Sequence, residues 1–291
     1  MILGIEAIEA VQRGLNTSFQ EAYNRTKVLY EQLSMVVNST AGVEEWPWFD
    51  LTGDMKAWKS TLQLGHIKLN DWTITNEDYE NSILIPKNDI DDDKIGVYGP
   101  LFDTMGMNAK RHPDKLLSDL LSAGFDDDCY DGEKFYSATH PIPGSSDVND
   151  NLHAGALAAA TFQTARAGLL KMKGGGSNYF NNPDDSFILA VPPELESTAE
   201  SIVMADYLAS GATNTNKGKA RVQVMPRLAT TTEWHLLNES LPIKPLITQI
   251  RLAPYVDYDA PKTSLDVVYF SHYRGACGYG LPVLAIGSPG T

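Results

Sequence analysis

The sequence predicts an α+β fold: two compact lobes, a projecting hairpin and an N-terminal arm. Three observations carry that prediction. Helical apolar periodicity fills the first forty residues, a stronger helical stripe runs from Pro100 to Ala123, and the last third consists mostly of short strand-like runs. No internal repeat is visible.

In the arm, Ile5, Ile8, Leu15, Phe19 and Tyr23 recur at steps of three or four residues or their multiples. Val28, Leu29, Leu33 and Val36 continue the series after Asn24. This predicts an amphipathic helix that lies on its own core or on a neighbour.

From Trp46 to Pro86 the period changes to two, with alternating pairs such as Leu62/Leu64, Ile67/Leu69, Trp72/Ile74 and Ile83/Ile85. Turn residues separate them, which predicts a long β-hairpin. It carries four of the five tryptophans. A two-stranded hairpin is marginal in water and needs another layer over its apolar face.

The acidic run "NDIDDDKIGVYGP" leads into the central helix, whose stripe is read as Leu101, Met105, Asn108/Ala109, His112, Leu116 and Leu120. Pro100 suits its first turn and Gly124 its stop. Pro113 predicts a kink or a division into two pieces. A second, Ala-rich helix ends at Gly174-Gly175-Gly176, read as a hinge between lobes. A buried strand over Phe187–Val191, a Pro-Pro turn, a short helix and several further strands complete the chain.

The balance of 37 acidic against 23 basic residues gives a net charge of −14, which opposes general nucleic-acid binding. No apolar run approaches the roughly 18 residues of a membrane span. The start of the sequence lacks a basic n-region, so export is not expected and the two cysteines read as cytosolic thiols. The scattered histidines form no metal-ligand array, and no cofactor motif appears: "KMKGGGS" has its lysines on the wrong side for a phosphate loop. "GACGYG" reverses the dinucleotide spacing and reads as tight backbone packing.

The stretch "GFDDDCYDGEKFYSATHPIPG" pairs Cys129 with His140 and suggests a nucleophile and its base. A catalytic thiol needs a neighbouring cation or a helix N-terminus. Cys129 instead follows three aspartates and a helix C-terminus and precedes Asp131, all of which favour the protonated thiol. The segment therefore reads as a structured turn.

A series of motifs then identifies a family. "MVVNST", "WPWF", "DIDDDKIGVYGP", "HPDKLL" and "CYDGEKFYSATHP" occur in that order, followed by "SFILAVPPELE" and "YRGACGYG". Together they resemble the major head subunit of Mu-like tailed phages, the gpT family. The resemblance implies the Hong Kong 97-like capsid fold. It implies an N-terminal arm over 1–42, an E-loop hairpin over 43–90 and a P-domain with its spine helix over 91–185. An A-domain over 186–254 and C-terminal strands over 255–291, returning to the P-domain, complete the chain.

The implied function is a non-enzymatic shell subunit, joined as hexamers and pentamers into an icosahedral head enclosing double-stranded DNA without sequence-specific binding. Implied partners are further copies of the chain, a scaffold and protease, a portal and decoration proteins. The implied place is the virion, assembled in the bacterial cytoplasm. Phe19, Trp58, Leu64, Ile67, Lys68, Trp72 and Ile74 are the expected interface residues; no catalytic, cofactor or metal residue is expected. Lys68 is the one appealing crosslink donor, but neither a partner asparagine nor a catalytic carboxylate is identifiable. Burial supplies the driving force: at about 25 cal/mol per Å², roughly 1,000 Å² of apolar contact has a gross value near 25 kcal/mol before entropy costs. The alternatives are an encapsulin-like compartment, which holds protein cargo, and a cytosolic Cys-His hydrolase.

Overall fold

The computed structural model describes residues 5–49, 69–92, 94–143, 145–175, 178–207, 211–259 and 266–290. In chain order the elements are α1 (Ile5–Arg25), α2 (Tyr30–Leu33), β1 (Ser34–Asn38), β2 (Val43–Phe49), β3 (Leu69–Thr75), β4 (Glu77–Ile85), α3 (Lys87–Asp91) and α4 (Gly99–Ala123). There follow β5 (His140–Pro141), β6 (Val148–Asn149), α5 (Ala159–Lys171), β7 (Lys173–Gly175), β8 (Asn178–Tyr179), β9 (Phe187–Val191) and α6 (Glu196–Val203). The last elements are β10 (Arg221–Val224), β11 (Trp234–Asn238), β12 (Leu246–Asp259), β13 (Val267–Tyr279) and β14 (Ala285–Ser288).

One sheet has the order β1-β12-β13-β4. β1 runs parallel to β12, with Ser34 opposite Leu246, and the other pairs are antiparallel. Along β13, Val267, Tyr269, Ser271 and Tyr273 are buried while the residues between them are half-buried, the period-two signature of a sheet covered on one face. That cover is α1 and α4: Leu15 and Phe19 join Phe102 and Met105 over Ile85, Val256, Val267 and Tyr269.

α4 runs as one helix through Pro113 instead of dividing there. The proline removes one backbone donor, and its buried ring holds its place against the neighbouring elements. The next residue ties α4 to the arm, because the Asp114 carboxylate accepts the backbone N–H groups of Leu29 and Tyr30 at 2.9 and 2.7 Å. The buried stripe of α4 is Phe102, Met105, Gly106, Pro113, Leu117, Ser118 and Leu121, shifted by about one position from the expected one, and Leu101 is exposed. A second helix crosses α4 beside the sheet, and that second contact moves the buried face. The arm also ends early as helix. β-Branched Val36 and Val37 lie in a strand, not in a continued helix.

The second sheet has the order β10-β9-β11-β14. All five residues of β9 are buried because each face has its own cover. Phe187, Leu189 and Val191 meet α5 and α6 through Phe162, Leu169, Ala199 and Ile202. Ile188 and Ala190 meet the end of α4 and the following loop through Leu117, Leu121 and Tyr136.

The strands divide the sequence differently from expectation. The hairpin base is β2 on β3, Val43 opposite Thr75 and Phe49 opposite Leu69, and its expected tip lies outside the described residues. β4 leaves the hairpin and pairs with β13 along its whole length. Asn76 enforces the switch: its N–H donates to the Gly42 carbonyl, and its side chain donates to Ser39 Oγ and the Ala41 carbonyl. Likewise α5 packs with the second sheet, and residues 246–254 lie in the first. The expected hinge at Gly174-Gly175 belongs to the β7–β8 ribbon.

Candidate functional site

The loop after α4 is built on its own hydrogen bonds. Gly132 adopts φ 83°, a left-handed conformation that glycine enters freely. It lets the chain reverse so that the Cys129 N–H meets the Glu133 carbonyl at 2.7 Å. The loop then returns over the helix end, where Phe135 and Tyr136 donate to the carbonyls of Asp127 and Gly124. Asn151 fixes the far side, accepting from Ser137 N–H and donating to the Phe135 and Pro282 carbonyls. Tyr136 is driven into the core against Phe125, Phe135 and His235. A Cβ on Gly287 would meet its ring at 2.7 Å.

Asp131 stands between the two residues that suggested a catalytic pair. Its Oδ1 accepts the Cys129 thiol at 2.9 Å and the Glu133 N–H at 3.1 Å, and its Oδ2 takes His140 Nδ1 at 2.7 Å. His140 Nε2 lies 3.2 Å from the Phe135 carbonyl. Both imidazole nitrogens are therefore engaged away from the sulfur. Burial, and after it the Asp131 carboxylate, pushes the Cys129 thiol well above its ordinary value. Burial alone would raise Asp131 as well, but the bonds from His140 and Cys129 outweigh it and hold the carboxyl low. A buried thiol that donates to a carboxylate, with its pKa pushed up and the imidazole turned away from the sulfur, acts as a hydrogen-bond donor and lacks the activation a nucleophile needs. Cys277 is likewise pushed up to about 12 by burial.

The expected interface residues fall into two groups. Trp58, Leu64, Ile67 and Lys68 lie outside the described residues. Phe19 and Ile74, expected under neighbouring subunits, are covered at home at 0 and 6% exposure. The partner of Phe19 is α4; Ile74 presses on β13 at Gly278, where a Cβ would collide with its side chain. Trp72 is half-buried and packs against the cores on both faces of the second sheet. The glycines of "GACGYG" do mark close packing, since a Cβ at Gly275 would strike the Gln249 carbonyl and one at Gly280 the Lys244 carbonyl.

Sequence reading missed the open face of the first sheet. Leu84 stands opposite Val268, Tyr255 opposite His272 and Leu252 opposite Arg274, all on the side away from α1 and α4. Leu84, Leu252 and Tyr255 are 54, 39 and 38% exposed. The alternation in β13 carries this signal, but only after the sheet order says which face the helices take. Asp78 gathers His272 Nε2 at 2.9 Å and Arg274 at 3.5 Å on the same face, so it is an apolar stripe with a charged end.

A family model described as "Mu-like prophage major head subunit gpT" matches residues 8–156 and 152–228. The chain belongs to the gpT family. The major capsid protein of Escherichia phage Mu is 30% identical over 142 residues, 49% of this chain and 47% of that relative. The match thus spans about half the length of the relative. The chain is also similar to the subunit of the procapsid of bacteriophage JBD30, with a TM-score of 0.61 and 22% identity over 98% of this chain and 76% of that one. The JBD30 capsid decorated with minor capsid protein trimers aligns at a TM-score of 0.59 and 23% identity, covering 68% of this chain and 90% of that one. The chain has the Hong Kong 97-like capsid fold, with the α+β composition expected. No helix among the described residues is long and apolar enough to cross a membrane.

Proposed function

We propose that this gpT chain is the structural, non-enzymatic subunit of a Mu-like phage or prophage head. Copies join as hexamers and pentamers into an icosahedral shell around double-stranded DNA. The observation that carries this reading is the open face of the β1-β12-β13-β4 sheet. It exposes Leu84, Leu252 and Tyr255 beside a charged end, the make-up of a surface covered by another protein. Heterologous contacts between identical subunits close into rings, and small angular changes allow rings of five and six.

In this reading α1 and its linker form the arm, β2 and β3 the base of the E-loop, and α4 the spine helix. The first sheet forms the P-domain and the second the A-domain. Covering of Leu15 and Phe19 at home supports giving that part of the arm's stripe to the stability of the subunit, and contacts between copies are placed in this reading at the hairpin and the open sheet face. The net charge of −14 suits a wall that repels packaged DNA. A scaffold, a protease, a portal and decoration proteins are the further partners, with assembly in the bacterial cytoplasm and the virion as destination.

Sedimentation and negative-stain microscopy of the purified chain test the proposal. Closed shells are expected; a compact 31.9 kDa particle at high concentration, with no larger species, overturns it.

A further inference from the structure

We infer that Cys129, Asp131 and His140 form a zinc site, a property that does not depend on the assembly reading. The thiol, carboxylate and imidazole ligand atoms all lie within 4.8 Å of one another, and the Cys129 and His140 residues are only 2% exposed. Sulfur, nitrogen and oxygen donors in one buried group are the donor set of zinc. All three come from a twelve-residue loop whose backbone is held by Asn151 and by the turn at Gly132.

The orientation of His140 is the second argument. Its Nε2 faces the Phe135 carbonyl, leaving Nδ1 for the cluster. A metal-bound imidazole characteristically donates its other N–H to such an acceptor, which fixes its tautomer and aim. Glu133, the remaining carboxylate of the loop, is occupied by Ser137 and Thr139 and stays outside the set.

In the metal-free cluster the Cys129 thiol donates to Asp131 Oδ1, and the ring nitrogens of His140 face Asp131 Oδ2 and the Phe135 carbonyl. Zinc binding breaks the S–H bond, releases that proton and any proton on Nδ1 to solvent, and forms S–Zn, N–Zn and O–Zn bonds. Thiolate, carboxylate, neutral imidazole and Zn²⁺ sum to zero, so the loaded site carries no net buried charge. A recess of about 10 Å³, the size of about one water, lies beside Asp131 and His140 and is lined also by Asn149 and Lys173.

Titration of the full chain with Co²⁺, and then with Zn²⁺ in competition, tests the site. Expected are one cobalt per chain, a thiolate-to-cobalt charge-transfer band, displacement by zinc, and proton release on binding. Cys129→Ser keeps a donor to Asp131, so the fold survives while the band disappears and affinity falls at least about tenfold. His140→Gln should weaken binding similarly. Absence of the band in the wild-type chain, or undiminished metal affinity in a folded Cys129→Ser chain, overturns the assignment.

Discussion

The carbonyl oxygen of Phe19 occupies the place where residue 106 would carry a Cβ, and Gly106 is what allows α1 to lie directly on α4. Close contact of the two helices brings the Phe19 ring into the core above β13. A terminal helix that sequence periodicity leaves free to lie on a neighbour is thereby committed to its own subunit.

Gly106→Ala should therefore destabilise the subunit although alanine is the better helix former by about 1 kcal/mol. Overpacking against an immovable backbone costs roughly 1–3 kcal/mol. Gly14, in α1 with nothing within 4 Å of its Cβ position, is the control. Gly14→Ala should stabilise by up to about 1 kcal/mol. Urea midpoints of the unassembled chain, moving in opposite directions, check the pair.

Asp114 caps the start of α2 from the middle of α4. Asp114→Ala leaves two N–H groups without that acceptor and should cost about 1–2 kcal/mol. Burial raises the pKa of this carboxyl against the opposing effect of its two backbone bonds. Asp114→Asn keeps an acceptor and removes the half-buried charge, so its unfolding midpoint should stay close to that of the wild type. Equal loss in both variants would exclude the capping role.

His235 sets an acid limit. It is fully buried with Nδ1 2.9 Å from Tyr136 Oη, and burial lowers its pKa from 6.5 to about 3. The unfolded chain then binds more protons than the folded one between those values, so stability rises with pH. Its contribution is complete above about 6.5 and is lost progressively as the pH falls toward 3, at up to about 1.4 kcal/mol per pH unit. Denaturant unfolding from pH 8 to 4 should show this slope. His235→Gln, which retains a partner for the tyrosine, should flatten it.

Leu84→Lys tests the open sheet face. The side chain is largely exposed, so the isolated subunit should change by less than about 0.5 kcal/mol. Shell formation, followed by sedimentation, should fail, because a buried contact would acquire an unpaired charge. Normal shells from this variant would place the contact between copies elsewhere.

Local rules made the helices legible: Pro100 and Gly124 bracket α4, and the apolar run of β9 announces a strand buried on both faces. The close packing at Gly275, Gly278 and Gly280 was legible too. Tertiary choices were not. The assignment of Glu77–Ile85 to the hairpin failed because a period of two does not name the partner strand, and Asn76 redirects the chain with bonds to Ser39 and Gly42. Pro113 suggested a break, yet burial holds the helix together across it. At the loop, the sequence places Cys129 among groups that favour its protonated form, and burial and Asp131 push its pKa in the same direction. It gave no sign that Asp131 would stand between the thiol and His140, because that depends on the turn at Gly132.

β1 has one sequel for the birth of the molecule. Ser34 shares a hydrogen bond with Thr248, 214 residues later, and among the described residues β1 joins its sheet through β12. Such distant pairing is slow to form, and on a ribosome it must wait until most of the polypeptide has emerged. Half-synthesised chains consequently lack the floor beneath α1 and α4, and a prematurely terminated product has no finished surface to offer its siblings.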